Sequence, residues 1–407
     1  MKRSFHRAAL VLAGLSTLCR VVGAESPGDP WQPLFTNPDV ATGFRQLGGK
    51  AVYELKDGVL TGTSVAAEPN SFLATTKEYG DFQLTYEFKV DPRLNSGVQI
   101  RSHSRTDFKN GQVHGYQAEI DPSDRAWTAG IYEEGRRGWL QNLTANEAAR
   151  KAFKQGDWNT VRIRAVGDSI RTWLNGVPAA DLRDAGETAG FIAFQVHGVG
   201  QEADKVGTQV QWRQIALQDL GRHEWKPLFD GSSLNGWTAT PGGQWEVKDG
   251  AIRGTSPASD PRHGLLLSDA MHGDVTMRRK FQVTKGNSGV YFRAQRVDDP
   301  VTVHGFQAEV CENDDTGGLY ETGGRAWVAQ PDKAWMAQEK VNRPGEWNEM
   351  WVSSHGSRTV VHVNGRQTAD FVDPSPTREN GLFGLQLHGG QDMEVEYKDL
   401  ALLVPAP

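Results

Sequence analysis

The stretch Phe82-Gln-Leu-Thr-Tyr-Glu-Phe-Lys-Val90 alternates apolar and polar side chains without a break. A period of two is typical of a β-strand that turns one face toward a core. The same alternation returns in residues 98–101, 161–164, 170–174 and 359–363. The last two of these run into Asn-Gly pairs, which are hairpin turn signals. The chain is therefore predicted to be an all-β protein built from sandwiches.

The chain carries this kind of sequence twice, because its two halves contain the same motifs in the same order. Trp31-Gln-Pro-Leu-Phe35 returns as Trp225-Lys-Pro-Leu-Phe229. Matched motifs lie between 188 residues apart (321 − 133, for Gly-x-Tyr-Glu) and 194 residues apart (225 − 31, for Trp-x-Pro-Leu-Phe). Solenoid repeats are only about 20–50 residues long, so a period of this size is a whole domain. We expect two tandem domains, at residues 25–220 and 221–407.

Residues 1–24 are predicted to be a signal peptide. Lys2, Arg3 and Arg7 form a basic start, residues 8–18 are apolar, and Val22-Gly-Ala24 is a small-residue cleavage site. The apolar run is too short to span a bilayer. The mature chain is expected to begin at Glu25, to lack a transmembrane segment and to be secreted or periplasmic.

The charge balance argues against two classes of partner. The 44 Lys and Arg residues are outnumbered by 50 Asp and Glu residues, which gives a net charge of −6 at pH 7. A chain with net negative charge gives no reason to expect nucleic acid or an anionic membrane as a partner.

Helical periodicity is nearly absent. The best candidate helix covers residues 144–153, where Thr144 could cap the start and Glu147 follows three residues later. One helix of one or two turns leaves the all-β prediction unchanged.

A polar strand in each half is the best candidate for a functional site. His114-Gly-Tyr-Gln-Ala-Glu119 returns as His304-Gly-Phe-Gln-Ala-Glu309. Residues two apart in a strand share a face, so Gln117, Glu119 and Asp121 are expected opposite the core. Their counterparts in the second half are Gln307, Glu309 and Cys311.

Glu119 and Asp121 could form an acid–base pair. Residues two apart in a strand have Cα atoms roughly 6.6 Å apart, and carboxylates that close can split their pKa values. Cys311 stands in the place of Asp121. The first domain is therefore the preferred active-site candidate.

Two arginines end alternating strands, one in each half. Arg101 and Arg293 are expected to lie across from Glu119 and Glu309. In that position each arginine could also form a cross-strand ion pair that has a structural role only.

Histidines occur at two matching places. His114 and His304 open the polar strands, and His197 and His388 occur in Gln-x-His-Gly. A histidine beside the carboxylates could act as an acid or base, or could help to bind a metal. The alternative is a turn histidine bonded to the backbone. No His-x-His or His-x-x-x-His spacing is present, so a divalent metal is an open alternative without a specific signal.

Aromatic residues follow the polar strands. These are Trp127 and Trp139 in the first half, and Trp327 and Trp335 in the second. Sugar stacking requires a flat apolar platform beside hydrogen-bonding groups. The alternative is a tryptophan folded under its own loop.

The second half resembles a known family. Trp225-Lys-Pro-Leu-Phe-Asp-Gly-Ser-Ser-Leu-Asn-Gly-Trp237, followed by Trp245-Glu-Val-Lys-Asp-Gly250, is similar to the opening of the 3-keto-disaccharide hydrolase domain. The first half resembles the family more loosely and lacks the Asp-Gly-x-x-Leu-x-Gly-Trp segment after Phe35. The resemblance implies tandem concanavalin-like jelly-roll β-sandwiches, secretion by bacteria, and cleavage of glycosides whose sugar is oxidised at C3.

The implied chemistry needs a base, an enolate stabiliser and an acid for the leaving group. The resemblance implies that Glu119 or a histidine could be the base and that Arg101 or a metal could stabilise the enolate. A C3 ketone acidifies the C2 proton, and the enolate formed by its removal can expel the C1 substituent. The alternatives are a non-catalytic carbohydrate-binding protein and a structural envelope module. The catalytic candidates are Glu119, Asp121, Arg101, His197, Glu309, Arg293 and His388. The carbohydrate-binding candidates are Gln117, His114, Trp127, Trp139, Tyr132, Gln307, His304, Tyr320 and Trp327.

Overall fold

The computed structural model describes residues 30–37, 39, 41–298 and 302–407. The predicted signal peptide and the predicted start at Glu25 lie outside these residues. The strands of the first half are β1 (Gln32–Pro33), β2 (Phe44–Gly48), β3 (Val52–Lys56), β4 (Val59–Thr63), β5 (Ser71–Thr75), β6 (Asp81–Val90), β7 (Ser96–His103), β8 (His114–Ile120), β9 (Ile131–Glu134), β10 (Gly138–Gln141), β11 (Asn159–Val166), β12 (Ser169–Leu174), β13 (Val177–Arg183), β14 (Phe191–Val196) and β15 (Gln209–Gly221).

The second half repeats this series of strands. They are β16 (His223–Pro227), β17 (Trp237–Ala239), β18 (Gln244–Lys248), β19 (Ala251–Ser256), β20 (Gly264–His272), β21 (Val275–Lys285), β22 (Asn287–Arg296), β23 (Val303–Cys311), β24 (Leu319–Thr322), β25 (Ala326–Ala329), β26 (Asn348–His355), β27 (Arg358–Val363), β28 (Arg366–Val372), β29 (Gly381–Leu387) and β30 (Met393–Pro405).

Each half forms one eight-stranded and one seven-stranded antiparallel sheet. In the first half the orders are β13-β12-β11-β6-β15-β4-β3, with β1 added beside β15, and β10-β9-β8-β7-β14-β5-β2. In the second half they are β18-β19-β30-β21-β26-β27-β28, with β16 added beside β30, and β17-β20-β29-β22-β23-β24-β25. The prediction of two tandem all-β sandwiches is confirmed.

The core of each sandwich lies between its two sheets and follows the alternation in the sequence. On β6 the inward residues Leu84, Tyr86 and Phe88 are fully buried. They meet Tyr116 and Ile120 of β8 in one continuous apolar cluster. The inward side of the polar strand was therefore predicted correctly. The hydrophobic effect of this burial holds the two sheets face to face.

Both predicted Asn-Gly turns close hairpins. Asn175 and Gly176 have φ angles of 51° and 83°, and Asn364 and Gly365 have φ angles of 48° and 74°. Two consecutive residues with positive φ form the hairpin turn whose twist matches the flanking strands, which is why Asn and Gly are favoured there.

The helices are short. They are α1 (Glu147–Ala152) and α2 (Lys333–Glu339), with a single 3₁₀ turn at Lys109–Gly111. The expected cap at Thr144 is wrong, because the Asn146 side chain accepts the hydrogen bond from the amide of Ala149. Among the described residues, none of the helices has the length and apolar character needed to cross a lipid bilayer.

The two sandwiches contact each other through polar groups. Arg137 donates from Nη1 to the carbonyl of Gly365 at 2.8 Å, and Arg358 donates to the carbonyl of Asp181 at 3.0 Å. His362 of the second sandwich lies 3.6 Å from Asp184 of the first, between Nε2 and Oδ2. The seven-stranded sheets that carry the polar strands belong to separate sandwiches.

Candidate functional site

The Asn-Ser-Gly motif builds the setting of Glu119. Asn95 donates from Nδ2 to Glu119 Oε1 at 2.6 Å, and Ser96 ties β7 to β14 through a 2.7 Å bond to the carbonyl of Gln195. Gly97 lies directly opposite Glu119 in the sheet. A Cβ at this glycine would lie 2.4 Å from Cδ of Gln117, so only glycine leaves room for that side chain. Gln117 in turn donates to Glu119 Oε2 at 2.8 Å.

The second domain repeats the arrangement around Glu309. Asn287 donates to Glu309 Oε1, and Gln307 donates to Glu309 Oε2 at 2.8 Å. Gly289 lies opposite Glu309, and a Cβ there would lie 2.5 Å from the Gln307 side chain. Each glutamate is therefore held by one amide from its own strand and one from the neighbouring strand.

Burial makes both glutamates unusually basic. It raises the pKa of Glu119 to about 7, against the opposing effect of the bonds from Asn95 and Gln117. It also raises the pKa of Glu309 to about 7, against the bonds from Asn287 and Gln307. A carboxylate with a pKa near neutrality can exchange a proton at physiological pH, which is what a general base requires.

Glu309 faces a pocket of about 350 Å³ in the second domain. Its amide and hydroxyl lining consists of Asn287, Gln307, Gln386 and Thr322. Its ring lining consists of Tyr291, Tyr320, Trp327, His263 and His388. The volume suits a ligand of about one or two sugar rings.

The first domain has different residues at three positions of the polar sheet face that lines this pocket in the second domain. Sheet register places Asn70 where the second domain has His263, Gln99 where it has Tyr291, and Glu134 where it has Thr322. The positions of the glutamate, both amides that hold it, the tyrosine, the tryptophan and the late histidine are shared.

Glu134 was missed by the sequence analysis. Its carboxylate accepts bonds from Asn70 Nδ2 at 3.3 Å and from Gln195 Nε2 at 3.4 Å. Burial raises its pKa, and the neighbouring His197 and these two amides oppose the rise. Glu134 follows Tyr132 by two residues on β9, so extending the alternation along that strand would have placed it on the polar face.

Asp121 stabilises a loop. Its carboxylate accepts bonds from Ser123, from Arg125 Nε at 3.1 Å and from the amide of Trp127 at 3.2 Å. Cys311 lies at the matching place, and its thiol contacts Asn313 and Thr316 of the corresponding loop. Substitution of this position therefore leaves Glu309 and its two amides intact. A catalytic role for Asp121 stays a prediction.

The expected position of Arg101 is wrong. The register between β7 and β8 shifts between Ile100 and His103, where two residues, Arg101 and Ser102, face one, and Arg101 has a φ of 45°. This β-bulge reverses the alternation and turns the guanidinium away from Glu119. It donates instead to the carbonyls of Gly80 and Gly167 at 2.8 Å and 2.6 Å, and to Asp81.

Arg293 shows the same deviation. Its φ is 48°, and it donates to the carbonyls of Gly356 and Arg378 and to Asp274. The expected pairing with Glu309 is therefore also wrong. Both arginines tie a bulge of the seven-stranded sheet to other segments of their own sandwich.

The four histidines divide into two pairs. His388 lines the pocket of Glu309, and His197 is close enough to Glu134 to influence its pKa. His114 is buried against Phe108, with ring centroids 4.1 Å apart, and its Nδ1 contacts the carbonyl of Gln112 at 2.9 Å. His304 packs near Gly323 and is not part of the pocket lining. The structure therefore does not bring His114 and His304 together with the glutamates.

The aromatic predictions hold in part. Trp327 is 37% exposed and meets Tyr320 edge to face, with ring centroids 5.4 Å apart. Trp139 meets Tyr132 in the same way, also at 5.4 Å. Trp127 packs against the core and the edge of Trp139, so the alternative of a tryptophan under its loop describes it better.

A metal site has no support in the described part of the chain. No group of three or more His, Cys, Asp or Glu side chains is arranged there to hold a metal ion. The donors around Glu119 and Glu309 are mainly amides and hydroxyls.

Comparison with known proteins identifies related sequences and folds. A family model described as a 3-keto-alpha-glucoside-1,2-lyase-like domain matches residues 30–218 and again residues 224–403. This match and the sheet topology confirm the predicted class of two tandem concanavalin-like jelly-roll sandwiches. The sequence matches no curated protein.

Solved structures are similar to single halves of the chain. Carbohydrate binding module CBM66 from Bacillus subtilis has 19% identity, with 42% of this chain and 98% of that chain covered and a TM-score of 0.34. A prokaryotic β-1,3-1,4-glucanase (lichenase) derived from a mouse hindgut metagenome has 13% identity, with coverage of 45% and 99% and a TM-score of 0.32. A galectin-like protein from Bacillus subtilis has 13% identity, coverage of 45% and 96%, and a TM-score of 0.36.

Proposed function

The chain belongs to the 3-keto-alpha-glucoside-1,2-lyase-like domain family, and we propose that it is a secreted enzyme that cleaves glycosides oxidised to a ketone at C3. The observation that carries the proposal is the pair of buried glutamates, Glu119 and Glu309, each with a pKa of about 7 and each held by two amides. Family membership suggests the substrate, and the glutamates supply the base that such a substrate needs.

The reaction starts with proton abstraction. The ketone at C3 makes the C2 proton acidic, and a carboxylate with a pKa near 7 removes it more readily than an ordinary carboxylate does. The C2–H electrons become a C2=C3 double bond, and the negative charge goes to the C3 oxygen. Asn and Gln hold the carboxylate in one orientation, which reduces the entropy lost on reaching the transition state.

The polar face also offers donors for the enolate. In the second domain two tyrosines, Tyr291 and Tyr320, are part of the pocket lining. Hydrogen-bond donors already fixed in place stabilise an oxyanion without reorganisation. The arginines drop out of this role because their guanidinium groups are bonded elsewhere.

A non-catalytic carbohydrate-binding role is the second candidate. The observation that favours it is Trp327, which is 37% exposed at the edge of the pocket beside Tyr320. An exposed indole beside amide groups is suited to stacking against a sugar ring. Two such domains in one chain would bind a polysaccharide with avidity.

The two candidates are separated by the turnover of a 3-keto-glucoside and of the unoxidised glucoside. The wild-type protein is expected to cleave only the keto sugar, also after treatment with a chelator. Glu119→Gln and Glu309→Gln each keep the shape of the side chain and remove the base. We expect the double variant to lose about 10²–10⁴-fold in kcat/KM, and the single variants to show how the activity divides between the domains.

Sugar binding to the double variant, measured by calorimetry, is the matched control. Retained binding shows that the sites are still folded. Binding without turnover by the wild-type protein would contradict the enzyme and favour the second candidate.

A further inference from the structure

We propose that Glu134 is the acid that protonates the leaving oxygen in the first domain, so that the two domains differ in the glycosides they cleave. The inference rests on the proposed function. It concerns a residue that the second domain replaces with Thr322, and it gives the first domain a second carboxyl group where the second domain has a neutral hydroxyl.

The geometry places Glu134 on the same face as Glu119. Both are carried by adjacent strands, β8 and β9, and Tyr132 lies between them on that face. Tyr132 lies directly opposite Gln117, whose side chain donates to Glu119 Oε2, and Glu134 follows Tyr132 by two residues on β9. Glu134 reaches across the face to Asn70 and Gln195, which hold it from the far side.

The second domain fills the same space with neutral groups. Thr322 Oγ1 lies 2.9 Å from the hydroxyl of Tyr291, and Gln386 donates to that hydroxyl at 3.3 Å. Neither a threonine nor a tyrosine hydroxyl gives up a proton near pH 7. Burial raises the pKa of Tyr291 to about 12, which makes it a still weaker acid.

The proton balance of the step needs both glutamates. Glu119 takes the proton from C2 and becomes neutral, and the C2–H electrons form the enolate. When the enolate collapses, the C3 carbonyl is restored, a C1=C2 double bond forms, and the bond from C1 to the leaving oxygen breaks. The leaving oxygen takes its proton from Glu134, which becomes a carboxylate.

Addition of water restores both groups. Glu119 returns its proton to C2, the water oxygen bonds to C1, and the second water proton goes to Glu134. The sum is hydrolysis of the glycoside to a 3-keto sugar and a free alcohol. A general acid matters most when the leaving group is a poor one, such as an alkoxide, and little when it leaves readily as a stabilised anion.

The test therefore varies the leaving group. In a Glu309→Gln background, which silences the base of the second domain, Glu134→Gln is compared with the parent on methyl and 4-nitrophenyl 3-keto-glucosides. We expect kcat/KM for the methyl glycoside to fall about 10²–10⁴-fold and that for the 4-nitrophenyl glycoside to change by less than about threefold, since a nitrophenolate needs no acid. Equal losses on both substrates, or no loss on either, would overturn the proposed role of Glu134 and leave the proposed function in place.

The reciprocal variant keeps the inference testable if Glu134→Gln folds poorly. Thr322→Glu in a Glu119→Gln background is expected to increase turnover of the methyl glycoside by at least about tenfold over its parent. Unchanged turnover, with sugar binding retained, counts against the inference. Failure of the wild-type protein to cleave either glycoside would instead overturn the proposed function, and this inference with it.

Discussion

The first domain places Tyr86 and Trp212 in its core, whereas the second places Arg279 and Tyr397 on the matching strand positions. Arg279 is 1% exposed, and its Nε and Nη1 atoms have no hydrogen-bond partner among the residues that the structure describes. Its Nη2 contacts the sulfur of Met350. One core position is thus a tyrosine in one copy of the fold and an arginine in the other.

Charged networks near the sites did not change in this way. Arg137 bonds to Glu133 and Asp184 in the first domain. Arg325 bonds to Glu321 and Asp373 at the matching places in the second. Each of these triads consists of one arginine and two carboxylates whose charges are paired. A change of one member therefore leaves buried charge without a partner. We infer that the triads restrict substitution more strongly than the apolar core does.

The largest expected effect comes from breaking the triads. Arg137→Met should lower the free energy of unfolding of the first domain by about 3–5 kcal/mol, because Asp184 and Glu133 are almost fully buried. Arg325→Met should cost the second domain only about 1–3 kcal/mol. The Arg325 side chain is 39% exposed, against 14% for Arg137. A second arginine bonds the glutamate in both domains, Arg136 to Glu133 and Arg378 to Glu321, so the exposure of the central arginine is the difference. Scanning calorimetry of the full chain measures both.

The control for this pair is Lys151→Met, which removes an exposed ion pair with Glu147 on α1. It should change stability by no more than about 0.5 kcal/mol. Equal losses from Arg137→Met and Arg325→Met would show that burial does not decide the difference between the triads.

The next effect is a gain in stability. Burial lowers the pKa of Arg279 to about 9, so the folded second domain disfavours the charged guanidinium. Arg279→Met keeps much of the volume and removes the charge, and should stabilise the second domain by about 1–4 kcal/mol. Tyr86→Phe in the first domain is the matched change, since the Tyr86 hydroxyl is also buried and has no hydrogen-bond partner in the described part of the chain. A lower melting temperature for Arg279→Met would mean that the guanidinium has a stabilising role.

Much of the fold could be predicted because strand alternation and turn residues act locally. The alternation on β6 and β8 set the inward faces correctly, and both Asn-Gly pairs formed the expected turns. Comparison of the two halves also singled out the two glutamates. These features depend on a few neighbouring residues and on a period of two.

The site was predicted less completely because parts of it lie where the two-residue alternation of a strand is interrupted. Arg101 and Arg293 lie in β-bulges, and no residue type in those stretches marks a bulge. Asp121 follows its strand and turns into a loop that uses its carboxylate. Glu134 could have been found by continuing the alternation, but its contacts with Asn70 and Gln195 join segments more than 60 residues apart in sequence.

The smallest expected effect concerns the glutamates that the two domains share. The pKa of each glutamate is near 4.5 in the unfolded chain and about 7 in the folded chain. The folded chain therefore holds these protons more tightly than the unfolded chain does, and stability present below pH 4.5 is lost as the pH rises toward 7. The free energy of unfolding of the wild-type protein should fall between pH 5 and pH 8. In Glu119→Gln and in Glu309→Gln this fall should be smaller by on the order of 1–3 kcal/mol.

Thermal unfolding of the wild-type protein and the two variants at both pH values measures this difference. The two variants should behave alike, because both glutamates are buried and bonded in the same way. A pH dependence that falls in one variant alone would show that the two settings differ despite their shared contacts. The domain whose variant kept the wild-type pH dependence would then have an ordinary carboxylate, and the general base of the proposed reaction would belong to the other domain.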